Sequence, residues 1–186
     1  MRKFVWVPVV SLGREATGQF LEIMSEPTLM GGINMNALKN CGFNKNIAHI
    51  EAVLTQLSVK PSSAKLYLTG FLVNLSNTQG VNLGLLIACF MQAPACPYQK
   101  IIVTGNLDTE KLTVTDAVNF EAKIQTLLNL GKQAEPIAFF FPRVMLNENN
   151  AALLAPLAAM NIRLKPIDSL WDVLVDFGLT QVTEDA

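Results

Sequence analysis

Apolar and polar positions along the first forty residues predict two strands and an irregular connection. Phe4 to Val10 is apolar and β-branched, and Gln19 to Met24 alternates polar with apolar residues, so both segments are predicted strands joined through Gly13 to Gly18. Glu26 to Cys41 is rich in Gly, Asn and Met without a period. We therefore predict an irregular connection there, with a turn at Gly31-Gly32.

Helical spacing begins after Asn44, which is predicted to cap a helix that ends before Pro61. The apolar positions of this helix are Ile47, Ile50, Val53, Leu54 and Leu57. Leu66 to Leu75 then has the composition of a strand, and the polar turn from Ser76 to Gly80 follows it. The almost wholly apolar stretch from Leu83 to Met91 predicts a buried helix.

The next part of the chain, after Pro94 and Pro97, predicts a strand, its partner and a helix. Lys100 to Gly105 is a predicted strand that meets a tight turn, and Leu112 to Thr115 is its predicted partner. Asp116 is predicted to cap a helix that runs to Leu130 and stops at Gly131. The positions expected to point inward are Val118, Ile124, Leu127 and Leu128.

The last third alternates strands with helices. Ile137 to Phe141 is a predicted strand ended by Pro142, and Asn147 to Met160 a helix with a kink at Pro156. Ile162 to Ile167 predicts a last strand, and Asp168-Ser169 caps a helix through Phe177. This alternation predicts an α/β (α+β) fold in which helices pack on a mixed sheet. We expect one domain over residues 1–186, with a disordered tail from about residue 180.

The composition predicts apolar surface somewhere on the molecule. Hydrophobic residues make up 51% of the chain, charged residues only 16%, and the mean hydropathy is +0.33. Large exposed apolar patches are rare on lone monomers, so we expect a protein partner or self-association, although buried core helices would also account for the composition.

The charge pattern argues against nucleic acid and membranes as partners. The formal net charge is −1, and the chain has no run of Lys or Arg and no apolar segment of about 20 residues. The start from Met1 to Val10 superficially resembles a short signal peptide, but Pro8 interrupts it and a first strand accounts for it equally well.

The cysteines and the one histidine predict a reduced protein without a metal. Cys41, Cys89 and Cys96 form no CxxC pair, and their odd count argues against a disulfide framework. The lone His49 cannot complete a zinc site with such scattered thiols. We therefore expect a cytoplasmic protein with no cofactor.

The order of these segments, taken with a few short motifs, resembles the proteolytic domain of Lon proteases. The resemblance runs almost from end to end. Its motifs are Gly80-Val81-Asn82-Leu83-Gly84 for the family's Gly-x-Ser-x-Gly, Val103-Thr104-Gly105 for its Met-Thr-Gly-Glu, and Phe139-Phe140-Phe141-Pro142 for its apolar strand ending in Ile-Pro. It implies a mixed sheet packed with helices, of the class named after the second domain of ribosomal protein S5.

The resemblance also implies that both catalytic groups of the family are replaced. The family uses a serine whose proton is taken by a lysine, and Asn82 stands at the position of the serine. The family's Gly-Gly-Leu-Lys-Glu-Lys matches residues 118–123 here, after one inserted residue. That alignment puts Glu121 at the catalytic lysine and Lys123 at a second, non-catalytic lysine. Thr104 is retained, whereas Gln79 replaces an acidic residue. We therefore expect no catalytic residues in this chain.

A relocated hydrolase is the alternative. Ser76 and Thr78 lie in the same loop and carry hydroxyl groups, and Lys123 is two residues from the expected lysine. Two helical positions differ by about 200° around the axis, so Lys123 is expected to point away from a site that Glu121 faces. A register slip of two residues would make Lys123 the dyad lysine. Hydroxyl residues in a polar turn are otherwise ordinary turn formers.

The same residues also permit binding without cleavage. The turn from Gly80 to Gly84 would present backbone N–H groups to a peptide, and Asn82 and Glu121 would add an amide and an acceptor. Alternatively, both are ordinary residues at helix starts. The chain has no Gly-x-x-x-x-Gly-Lys-Ser/Thr phosphate loop, so we expect an ATP-independent pseudoprotease that serves as a scaffold or subunit. The resemblance further implies self-association as a ring-like homo-oligomer.

Overall fold

A mixed sheet of seven strands forms the centre of the molecule. The computed structural model describes residues 1–11, 17–69 and 79–180, and its strands lie side by side in the order β3-β4-β2-β1-β5-β6-β7. The strands are β1 Lys3–Ser11, β2 Thr17–Pro27, β3 Ile33–Asn34, β4 Ala64–Leu68, β5 Lys100–Val103, β6 Ile137–Pro142 and β7 Ile162–Ile167. The helices are α1 Asn36–Lys39, α2 Asn44–Gln56, α3 Gln79–Ala88, α4 Phe120–Leu128, α5 Glu148–Ala159 and α6 Leu170–Asp176.

Strand β1 joins an antiparallel half of the sheet to a parallel half. It pairs with β2 in antiparallel register along its whole length, from Lys3 opposite Ser25 to Ser11 opposite Thr17. On its other side it pairs in parallel with β5, but only from Phe4 to Trp6. Among the described residues, its second half therefore has a ladder on one side only. Pro8 lies in that half, where its missing N–H interrupts no ladder toward β5.

Helices cover both faces of the sheet, which gives two hydrophobic cores. The larger core packs α1, α2, α3 and α6 against the inward side chains of β1, β2 and β4, as the alternation of β2 predicts. The smaller core packs α4 and α5 against β5 and β6 on the opposite face. Strand β6 is buried on both faces, which explains its unbroken apolar sequence.

Helix α3 lies unusually close to β1. A β-carbon added to Gly84 would lie 2.4 Å from Cγ2 of Val7, so only glycine allows this approach. The rest of the helix is also apolar, with Val81 and Leu83 to Ala88 buried. Glycine normally destabilises a helix, and here the close packing against β1 offsets that cost.

The structure confirms the mixed α/β class and most of the predicted elements. Strands β1, β2, β5, β6 and β7 and helices α2, α5 and α6 lie where the pattern places them, within a few residues. Asn147, the predicted first residue of this helix, is the N-cap of α5, because its side chain accepts a hydrogen bond from the N–H of Asn150. Strand β4 is confirmed only from Ala64 to Leu68, because residues 70–78 lie outside the described part.

Several boundaries differ from the prediction. Helix α3 begins at Gln79, so Gly80 to Gly84 is not a turn but the first part of a helix. Asn44 is the first residue of α2 rather than its cap. The connection after β2 contains the short elements β3 and α1, although Gly31 and Gly32 do form a bend.

Two further corrections concern the segment before α4. Residues Leu112 to Thr115 do not pair with β5. Val114 bridges Leu107 and Thr113 bridges Ser169, because β5 already has β1 and β6 as parallel neighbours. Helix α4 begins at Phe120 after Asn119, which has a positive φ of 56°, so Asp116 is not its cap.

The described residues include no helix that is long and apolar enough to cross a membrane. The predicted disordered tail falls mostly on residues 181–186, which the structure does not describe.

Replacing Gly84 by alanine tests the close approach of α3 to β1. The added methyl group would overlap Val7, and we expect the free energy of unfolding to fall by about 1–3 kcal/mol despite alanine's better helix propensity. Urea unfolding of Gly84→Ala measures this change.

Gly31→Ala is the matched control, because a β-carbon there meets no atom within 4 Å. We expect it to change stability by less than about 0.5 kcal/mol. Combining Gly84→Ala with Val7→Ala should cost less than the sum of the two single changes. Strict additivity would mean that the two residues do not compete for space.

Candidate functional site

The first turns of α3 and α4 come together beside the second half of β1 and border a small cavity. Its volume is about 40 Å³, which has room for a few water molecules or one small polar group. Among the described residues, the lining consists of Val7, Pro8, Val9, Val10, Gly80, Val81, Asn106, Val118, Asn119 and Lys123. This cavity is the candidate site, since it contains the start of the Gly80 to Gly84 segment.

Asn82 does not face this cavity and is held by a neighbouring helix instead. Its Oδ1 accepts a hydrogen bond of 2.6 Å from Nδ2 of Asn46 in α2. Asn46 is only 6% exposed, so the bond links two helices at a largely dry contact. In this position the side-chain amide of Asn82 connects α2 to α3 by a hydrogen bond.

Lys123 is the charged group of the cavity. Its Nζ lies 3.8 Å from the point that a β-carbon on Gly80 would occupy, which places the ammonium against the first turn of α3. Among the described residues its ammonium has no hydrogen-bond or ion-pair partner. Burial lowers the pKa of Lys123 below its usual range, and the negative charge of Asp116 offsets part of that effect.

The structure places Lys123, and not Glu121, on this cavity, as in the register that is shifted by two residues. Lys123 is half-buried on the cavity, whereas Glu121 is exposed. The reason lies in the spacing of α4, whose buried face contains Phe120, Ile124 and Leu127. Lys123 has Phe120, Thr126 and Leu127 at a spacing of three or four residues, so buried neighbours lie on both sides of it along the helix. Of the buried residues of α4, Glu121 has only Ile124 at such a spacing.

The other predicted site residues have separate places in the fold. Gly84 is buried under Val7, and Thr104 lies at the end of β5, where its N–H donates to the carbonyl of Phe140. Thr104 is fully buried, and its Oγ1 has no hydrogen-bond partner among the described residues. A binding role for Gly80, Asn82, Gly84 and Glu121 stays a prediction, but only Gly80 of these four lines the cavity.

Ser76 and Thr78 lie outside the described residues, so their predicted role as nucleophiles stays a prediction. The backbone of Gln79 begins α3.

Sequence reasoning missed two residues, one that holds Asn82 and one that lines the cavity. Asn46 lies four residues before Ile50 and seven before Val53, so helical spacing alone puts this polar side chain on the buried face of α2. Asn106 donates from Nδ2 to the carboxylate of Asp116 over 2.8 Å and closes the loop before α4. No local pattern indicates that contact, since it joins residues ten positions apart across a loop.

The described residues contain no cluster of three or more His, Cys, Asp or Glu side chains that could hold a metal ion. Burial raises the pKa of Cys89 to about 12, which keeps this thiol protonated and unreactive. Cys96 is also buried, and only Cys41 is exposed.

A larger groove of about 650 Å³ lies at the amino ends of β1, β5 and β6. The hydroxyl of Tyr98, which lines it, already donates to the carboxylate of Asp176. Burial and this neighbouring carboxylate raise the pKa of Tyr98. The phenol is thus engaged and protonated at neutral pH, and it offers no free catalytic group.

Comparison with known proteins gives no match, either to a model of a protein family or to a curated protein. The likeness to Lon proteolytic domains consequently stays a prediction that rests on the order and spacing of motifs.

Removing the side-chain amide of Asn82 tests whether its hydrogen bond to Asn46 stabilises the contact between α2 and α3. In Asn82→Ala the Nδ2 of Asn46 loses this acceptor in a largely buried place, and we expect the free energy of unfolding to fall by about 1–3 kcal/mol. Thermal or urea unfolding followed by circular dichroism measures the change.

Asn149→Ala is the matched control, since Asn149 is an exposed asparagine in the first turn of α5. It removes the same group without breaking a contact between helices. Equal stability changes in the two variants would contradict the structural role of Asn82.

Proposed function

We propose that this chain is a catalytically inactive, Lon-protease-like domain that serves as a scaffold, an adaptor or a subunit of a larger assembly. The observation that carries the proposal is the hydrogen bond between Asn82 and Asn46. The residue at the expected nucleophile position is used to join two helices, and it carries no hydroxyl group. Glu121, at the expected lysine position, is exposed.

A scaffold role also agrees with the apolar character of the chain. Seven large hydrophobic side chains in the described part are exposed, and Leu29 and Met30 stand together at the tip of the turn after β2. A partner protein or a second copy would cover such residues. A monomer mass from light scattering at high concentration would contradict self-association.

The proposed setting is a cytoplasmic protein that works without ATP. Free cysteines, two of them buried, suit a reducing compartment. The chain has no Gly-x-x-x-x-Gly-Lys-Ser/Thr phosphate loop, and the proposed domain acts on segments that are already accessible.

One observation favours a second candidate function, a peptide hydrolase with a relocated nucleophile. The ammonium of Lys123 is half-buried, lacks a partner among the described residues and has a lowered pKa. A neutral lysine amine is the base that a Ser/Lys mechanism requires. In this alternative, Ser76 or Thr78 would supply the hydroxyl group.

Incubation of the purified protein with unfolded casein and with a fluorophosphonate probe tests the proposal. We expect no cleavage above the rate in a protein-free blank and no covalent labelling, because residue 82 has no nucleophilic oxygen. Gel electrophoresis and mass spectrometry measure both results.

The variants Ser76→Ala, Thr78→Ala and Lys123→Met serve as the comparison set. Cleavage and labelling that disappear in one hydroxyl variant and in Lys123→Met would refute the scaffold proposal and establish the hydrolase. Weak cleavage that is unchanged in all three variants would identify a contaminating protease.

A further inference from the structure

The cavity beside Gly80 combines an apolar wall with a single positive charge. Its lining includes Val7, Val9, Val81 and Val118, and the ammonium of Lys123 is the only charged group among the described lining residues. An ammonium that is taken from water without an acceptor loses solvation energy, so a bound acceptor would stabilise it. A negatively charged group is the acceptor that gains most from such a site.

The nearest carboxylate of the protein does not fill this role. Asp116 is exposed, and its Oδ1 accepts hydrogen bonds from Nδ2 of Asn106 and from Oγ1 of Thr115. It attracts Lys123 through space, but its carboxylate is not within 4.0 Å of the ammonium, as an ion pair would require. The loop before α4 therefore supplies no ion-pair partner to the ammonium of Lys123 in the cavity.

The size of the cavity selects an end group rather than an internal segment. A volume of about 40 Å³ admits one small polar group, whereas a stretch of peptide backbone needs far more room. A chain terminus reaches into such a space with its carboxylate, and the rest of the peptide stays outside.

The rim of the cavity indicates which kind of side chain the last residue of the bound peptide would have. Val118 lines the cavity and is 43% exposed, so an apolar surface lies next to the opening. A small aliphatic side chain at the last position of a peptide would pack there, while the terminal carboxylate approaches Lys123.

We propose that this cavity binds the C-terminal carboxylate of a partner polypeptide whose last residue is small and aliphatic, with Lys123 as the anchoring cation. The inference rests on the proposed function, because a bound peptide must remain uncleaved. It assigns a chemical class of partner to the cavity and a binding role to Lys123.

Fluorescence polarisation with two labelled peptides tests this inference. Both have the sequence Gly-Ser-Gly-Ala-Val with fluorescein at the N-terminus, and one ends in a free carboxylate while the other ends in an amide. We expect the acid to bind at least about tenfold more tightly than the amide, because a charge-assisted hydrogen bond is lost with the carboxylate.

Two variants test whether Lys123 causes the preference for the acid peptide. Lys123→Met keeps most of the unbranched side chain without its charge and should abolish the preference for the acid. Lys132→Met removes an exposed lysine just after α4 and should leave the preference unchanged. Equal binding of acid and amide, no binding of either, or a preference that survives in Lys123→Met would each overturn the inference.

Acetate competition and mass spectrometry complete the test. Displacement of the peptide by an equal concentration of acetate would reveal a general carboxylate site and overturn the assignment to a polypeptide terminus. Mass spectrometry of the peptide after incubation distinguishes the two proposals. A cleaved peptide would contradict the proposed function, whereas an intact peptide without acid preference would contradict only the binding inference.

Discussion

The close contact between α3 and β1 is the constraint on which the rest of the structure depends. Gly84 lets the helix lie directly on Val7, and the apolar residues around it fill the space between the sheet and the surrounding helices. Because the helix is held so near the sheet, its first turn comes to the second half of β1. In the described part of the chain that half has no partner strand on the side of β5, and the starts of two helices meet there instead. The packing of α3 on β1 thus explains where the cavity lies.

This arrangement gives two nearby residues of α3 different contacts. Asn82 faces α2 and joins it through Asn46, while Gly80, two residues earlier, faces Lys123 in α4. A helical repeat of about 100° per residue separates these directions, so one helix can bind its neighbour with one residue and border a cavity with another. The proposed loss of catalysis is therefore compatible with an ordered cleft, and Lys123 is the group in it that could still contact a ligand.

The periodicity of apolar residues predicted those strands and helices whose burial follows from their own sequence. The alternation in β2 and the helical spacing of α2 each give the correct element, because each side chain's environment follows from its own segment. The pairing of Leu112 to Thr115 depends instead on which strands already border β5, and no local signal carries that information. Helical spacing is sufficient to place both Lys123 and Asn46. The motif alignment assigns Glu121 to the position of the catalytic lysine, whereas the spacing of the buried face of α4 brings Lys123 to the cavity.

The most direct test of this account is the titration of Lys123 itself. Carbon-13 NMR of the labelled protein follows the Cε shift of each lysine with pH, and the spectrum of Lys123→Met assigns the signal. The account predicts that Lys123 titrates clearly below the value near 10.4 of a solvent-exposed lysine, because burial disfavours its charged form more than Asp116 favours it. A midpoint at or above that value would mean that the ammonium is solvated or paired. It would contradict the placement of Lys123 as a half-buried lysine that packs against the start of α3 and has no ion-pair partner among the described residues.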